Sequence, residues 1–178
     1  MEGLSDQELM ARIAAGDAAA FRILSRRHAP RALAVARRIL GSSAAADDVV
    51  QDALLRVWIH APRWRPAAEP RTWLYRIVVN LCLDEKRRPR AAPLEAAGDV
   101  ADPGADAAAN LEARERDHLL AAAVAALPPR QRAAIVLTYQ EGLANAEAAA
   151  VLDTSVGGVE TLLVRARRAL RAALGGDD

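Results

Sequence analysis

Trp73, Arg76, Asn80, Asp84 and Arg87 recur at intervals of three, four, four and three, which lines them along one narrow strip of a helix turning about 100° per residue. The strip begins with a ring, carries an amide, and runs into Lys86, Arg87, Arg88 and Arg90. Trp58, Trp64, Trp73 and Tyr75 crowd into one stretch of a chain that holds only three Trp, two Tyr and one Phe. Rings beside cations suit unstacked nucleic-acid bases: stacking supplies about 1 to 3 kcal/mol per base, and Arg or Lys neutralises the backbone. A reader of intact duplex does not need them. Two readings stay open for this cluster. Trp58 and Tyr75 fit rings that staple a helical core. For Trp64, Arg71, Thr72, Trp73, Arg76 and Asn80 the nucleic-acid reading leads, because a polar stripe without a row of acidic partners is costly to bury.

Two further constellations point to partners. On the segment 44–61, Asp48, Gln51, Asp52 and Leu55 lie opposite Val49, Val50, Ala53, Leu54 and Val57. An exposed leucine among carboxylates suits docking on a basic protein surface, the apolar contact giving affinity and the acids orientation; a solvated acidic face fits the same spacing. Near the C-terminus, a short helix, a tight turn at Asp153, Thr154 and Ser155, and a basic helix spell a helix-turn-helix. Val159, Leu162, Leu163, Ala166 and Leu170 should face inward, and Glu160, Thr161, Val164, Arg165, Arg167, Arg168 and Arg171 outward. Glu160 and Thr161 can reach base edges, while the later arginines suit phosphates. The alternative is a solvated basic face on an ordinary bundle.

Catalysis and metal binding find little support. His28, His60 and His118 are scattered, Asp47, Asp48 and Asp52 lack a neighbouring histidine, and Cys82 is the single cysteine. No cofactor and no enzymatic activity are expected, and no intramolecular disulfide can form. The net charge is only +1, but it is segregated. Basic segments at 76–90 and 159–171 flank an acidic one that holds Glu95, Asp99, Asp102, Asp106, Glu112, Glu115 and Asp117. No basic apolar leader opens the chain and no run approaches the roughly 18 apolar residues of a membrane helix, so a soluble cytoplasmic protein without membrane insertion is expected.

The elements that must position these residues are helical. Ser5 to Glu8 reads as a capping box with Leu4 and Leu9 at the staple positions; Gly16 ends that helix and Asp17 caps the next. Pro30 reads as the start or kink of a third segment that stops at Gly41, and Ser43 opens a long helix closed by Pro62. The loop PRWRPAAEP leads into the striped helix, which Pro89 ends. Residues 91–110, small, acidic and dotted with Pro and Gly, read as a flexible linker, able to span about 65 to 70 Å if fully extended. Helical pattern resumes near Leu111; Pro128 and Pro129 suit a helix start, Gly142 a stop, and Asn145 a cap. The fold class is therefore all-α: a four-helix-type bundle over 1–90 and a helix-turn-helix domain over 111–178.

Three stretches in this order, AAADDVVQDALLRVW, TWLYRIVVNLCLDEKRR and LPPRQRAAIVLTYQEGL with the helix-turn-helix after it, resemble the extracytoplasmic-function sigma factors of bacteria across nearly the whole chain. The resemblance implies that Asp48, Gln51, Asp52 and Leu55 meet the clamp helices of the largest subunit of core RNA polymerase. It implies that Trp64, Arg71, Thr72, Trp73, Arg76, Asn80, Arg87 and Arg88 read and melt the minus-ten promoter element, with a base flipped into the loop from Arg63 to Arg71. It assigns Ser155, Gly157, Glu160, Thr161, Arg165 and Arg168 to the minus-thirty-five element, the linker to the RNA exit path, and the resting protein to an anti-sigma partner. Where the family usually has a large aliphatic residue and a threonine in the helix-turn-helix, this chain has Ala148 and Gly158. A two-domain regulator acting on duplex operators, and a mimic that docks without reading DNA, are the rival readings. Unstacked-base chemistry near 64–75 argues against the first.

Overall fold

The computed structural model describes residues 3–66, 69–88 and 109–175, the side chains of 109–116 excepted. Eight α-helices are seen among them: α1 (Asp6–Ala14), α2 (Ala18–Leu40), α3 (Ser43–His60), α4 (Pro70–Arg87), α5 (Ala109–Ala126), α6 (Pro129–Ile135), α7 (Asn145–Leu152) and α8 (Val156–Ala173). No strand occurs among the described residues. The linker assigned to 91–110 and the stop assigned to Pro89 lie, but for the first residues of α5, outside the described residues.

Local chemistry sets most boundaries. Ser5 Oγ accepts from Glu8 N at 3.2 Å while Ser5 N donates to Glu8 Oε2 at 2.7 Å, the reciprocal bonds of a capping box. The bond from the Ser5 backbone holds the Glu8 carboxyl below its usual range. Asp17 accepts from Ala19 N and Ala20 N and starts α2. Gly41, at φ +70°, ends it in the left-handed conformation that a Cβ disfavours. Two caps shift by one residue. Ser42 rather than Ser43 caps α3, with Oγ accepting from Ala45 N. Ala144 rather than Asn145 precedes α7, and Glu147 Oε2 accepts from the Ala144 amide.

Pro30 neither starts nor separates a segment: α2 runs through it for 23 residues. A proline removes one ladder hydrogen bond, but Ala20 and Leu24 before it and Ala32, Val35, Ala36 and Ile39 after it are all buried in one core, and that packing holds both halves in line. The second departure is at α6, which continues as a π-helical segment from Val136 to Gln140.

α1 to α4 form one bundle and α6 to α8 a second, smaller one, and the two pack together. α4 lies between them, against α2 and α3 on one side and α7 on the other. This double cover explains why the striped helix is so apolar: Leu74, Tyr75, Val78, Val79, Cys82 and Leu83 are all buried. Burial pushes the Cys82 thiol up to about 12. Arg132 of α6, only 6% exposed, crosses the seam and donates to the Ile39 carbonyl at 2.7 Å. A second bond goes to the Leu127 carbonyl at 3.2 Å. Ile39 lies in the last turn of α2, where carbonyls lack a helical partner, so the guanidinium caps a helix of the other bundle.

Candidate nucleic-acid interface

The polar strip of α4 faces outward: Arg76, Asn80, Asp84 and Arg87 are exposed and Trp73 is half-buried. Trp73 and Asn80 border a cleft of about 340 Å³ whose other walls are Arg56, His60, Arg63 and Ile77. The periodicity of α4 could not reveal Arg56, His60 and Arg63, because they arrive from the end of α3 and the 3-10 turn Ala61–Arg63. The signal available was the cation-rich run RVWIHAPR just before the loop. A flat ring, an amide and two guanidiniums around one opening can stack a base, hydrogen-bond its edge and neutralise its phosphate.

The other predicted residues here divide. Arg87 and Arg88 are exposed and, among the described residues, pair with Asp84 and Glu85, three positions before each, at 3.4 and 3.2 Å. Trp64 packs against the core, with Nε1 buried and unpartnered among the described residues. Thr72 is half-buried. Arg71 and Arg76 turn toward the second bundle, where Arg71 stands 3.6 Å from Glu147 and Arg76 3.0 Å from Asp153. Of the rings whose role was open, Trp58 and Tyr75 serve packing. Trp58 meets Phe21 edge to face with centroids 5.3 Å apart, and Tyr75 is 1% exposed with its hydroxyl donating to Glu141.

On α3, Asp48, Gln51 and Leu55 are exposed and Asp52 is half-buried, with Asp52 paired to Arg56 at 3.1 Å. Leu55 is 55% exposed and Ile59, one turn on, 57%. Ile59 thus extends the apolar strip beyond the residues expected from sequence.

In the helix-turn-helix, Asp153 adopts φ +50° and makes the turn. Ser155 caps α8, its Oγ accepting from Gly158 N at 3.0 Å, and Thr161 Oγ1 donates to the Gly157 carbonyl at 2.8 Å. A Cβ on Gly158 would stand 2.3 Å from Thr154 Oγ1, a hydroxyl that would have to rotate away. Val159, Leu163 and Ala166 are buried, while Gly157, Glu160, Thr161, Arg165 and Arg168 are exposed, as an outward recognition face requires.

Among the described residues no three His, Cys, Asp or Glu side chains gather to hold a metal, and no helix is long and apolar enough to cross a membrane.

A helical bundle with an open base-sized cleft, joined to a helix-turn-helix, is the architecture of a sigma-type transcription factor. Residues 24–91 match Sigma-70 region 2 and residues 117–170 match Sigma-70, region 4. The chain is 40% identical to the ECF RNA polymerase sigma factor SigM of Mycobacterium tuberculosis, over 96% of this chain and 85% of that protein. It is 36% identical to the RNA polymerase sigma factor CnrH of Cupriavidus metallidurans, over 97% and 96%. The solved structure of CnrH in complex with the cytosolic domain of CnrY matches with a TM-score of 0.70 at 35% identity, covering 97% of this chain and 99% of CnrH. RpoE of Bartonella quintana, solved with the anti-sigma factor NepR, shares the fold at 22% identity and a TM-score of 0.68, over 89% of this chain and 98% of that one. The chain belongs to the ECF RNA polymerase sigma factors. It is a transcription initiation factor that binds core RNA polymerase and directs it to promoters.

Proposed function

We propose that the work is divided between a domain at 1–90, which docks on polymerase and opens the minus-ten element, and one at 111–178, which reads the minus-thirty-five element, with 91–110 as the tether. Asp48, Gln51, Asp52 and Leu55, extended by Ile59, form the surface that meets the clamp helices of the largest polymerase subunit. Trp64, Arg71, Thr72, Trp73, Arg76, Asn80, Arg87 and Arg88 engage the minus-ten strand. Ser155, Gly157, Glu160, Thr161, Arg165 and Arg168 sit on the minus-thirty-five duplex, the Ser155 hydroxyl accepting from Gly158 N in the cap and keeping its own proton to donate to a phosphate.

The observation that carries the reading is the cleft shared by Trp73, Asn80, Arg56 and Arg63. A base leaving the duplex exchanges stacking on its neighbours for stacking on a ring, so binding energy opens the strands and no bond is made or broken. The protein works in the cytoplasm without a cofactor. An anti-sigma protein restrains it, a reading supported by the partners seen with CnrH and with RpoE.

The test is a holoenzyme carrying Trp73→Ala and Asn80→Ala. It should co-elute with core polymerase as the unmodified protein does, yet show far fewer permanganate-reactive thymines at its promoter. Undiminished reactivity would remove the cleft from the mechanism.

A further inference from the structure

Between Glu160 and Arg171 of α8, Val164 is the one large apolar side chain left exposed, at 58%. Val159, Leu163 and Ala166 cover the core side of the helix, and Val164 is turned away from them. Valine gains nothing locally there, because a branched Cβ lowers helix propensity. Its neighbours on the helix surface, three and four positions away, are Glu160, Thr161, Arg167 and Arg168. Glu160, Thr161 and Arg168 belong to the face assigned to the minus-thirty-five duplex, and so does the adjoining Arg165. A side chain ringed by contact residues leaves water when they engage. Two polar groups beside it already have partners: Thr161 Oγ1 donates to the Gly157 carbonyl at 2.8 Å and Arg167 Nε to the Leu163 carbonyl at 3.3 Å. Neither has that proton to give to a base edge.

We infer that Val164 reads a thymine of the minus-thirty-five element through its C5-methyl group, which makes it a specificity-determining residue of this chain. The inference rests on the assignment of the outward face of α8 to that duplex and carries it one step further, to a base. The thymine methyl is the one apolar group that a base pair offers in the major groove. An aliphatic side chain pressed on a ring nitrogen, a carbonyl or an amino group strips water from it and returns no hydrogen bond. Against the methyl it displaces water from apolar surface on both sides, which is favourable. Glu160 works by the opposite chemistry, since a carboxylate accepts from the amino group of cytosine. One turn separates the two residues, about 6 Å along the axis, so the bases they contact lie within about two base-pair steps of one another. Two adjoining positions on one face thus select different bases.

Deoxyuridine in place of thymidine removes that methyl and nothing else, which isolates the contact. Holoenzyme reconstituted with the full-length protein is assayed by competition among promoter duplexes in which each thymidine of the minus-thirty-five element, on either strand, is replaced in turn. One replacement should weaken binding by the unmodified protein about fourfold, the effect of one buried methyl. Val164→Ser leaves the fold intact, since the position is exposed, and with it thymidine and deoxyuridine at that place should bind equally. A loss of the same size in both proteins assigns the methyl to another side chain and overturns the inference. A series in which no replacement weakens the unmodified protein, an element free of thymidine included, overturns it as well. The underlying assignment of the face fails separately: Arg165→Ala with Arg168→Ala would then leave affinity for the element unaltered.

Discussion

The hydroxyl of Tyr75 on α4 donates a 2.7 Å hydrogen bond to Glu141 Oε2, at the end of the π-helical segment that continues α6. The ring is buried and belongs to the first bundle; its acceptor belongs to the second. Tyr75→Phe keeps the ring and removes the donor, so the change isolates one bond across the seam. A loss of about 1 to 2 kcal/mol is expected, a fall in melting temperature of roughly 2 to 8 °C by calorimetry. An unchanged melting temperature would mean that Arg38, 3.7 Å away, satisfies Glu141 alone.

Leu55 and Ile59 stand more than half exposed on α3, so polar substitutions there cost the isolated protein almost nothing. Leu55→Ser with Ile59→Ser should leave circular dichroism and thermal unfolding as they were. Affinity for core polymerase should fall about tenfold or more, given about 1.5 kcal/mol or more for each large apolar side chain buried in a contact. Retained affinity in a competition assay would place the docking surface elsewhere.

Arg132 combines volume with two donors, to Ile39 and Leu127 carbonyls, and burial lowers its pKa. Arg132→Ala should cost about 2 to 4 kcal/mol, from the opened cavity and the lost charge-assisted bonds together. Arg132→Met refills the space without a donor. If urea unfolding shows that Met recovers less than half of the loss, the bonds matter more than the packing; full recovery would assign everything to volume.

Alkaline pH should loosen the protein. Burial raises both the Cys82 thiol, to about 12, and the Tyr75 phenol, to which Glu141 adds a further rise. Each group is neutral when protonated and its folded value lies above its unfolded value. Its contribution is whole below the unfolded pKa, 9.0 for the thiol and 10.0 for the phenol, and is lost as pH rises toward the folded value. The urea midpoint should therefore drop between about pH 8 and pH 11, and Cys82→Ala with Tyr75→Phe should flatten that slope. An equal slope in the variant would assign the effect to other groups.

Much of this fold was legible because its signals are local. The Ser5 and Glu8 box, the Asp17 cap, the Gly41 stop and the alternation of inward and outward residues on α8 each depend on residues within a few positions of one another, and each is found as read. Pro30 misled because its local effect was outweighed by packing that spans both halves of α2. The same limit governs the site. The strip on α4 was readable from one period, but Arg56, His60 and Arg63 reach the cleft from another helix end. The apolar excess of α4 could be seen in the sequence; that a second bundle covers it could not, since no spacing within α4 encodes the partner of Val79 or Leu83.

Asp153 bends the chain between α7 and α8 at φ +50° and also offers the carboxylate that meets Arg76. Three side chains, Gly, Asn and Asp, adopt that bend readily, and only one of them is charged. Drift from Asp to Asn or Gly would leave the recognition helix in place while weakening the clasp, and a change to Glu would keep the charge but strain the bend. The side chain at 153 therefore couples the bend that aims the last helix to one of the ion pairs joining the two bundles.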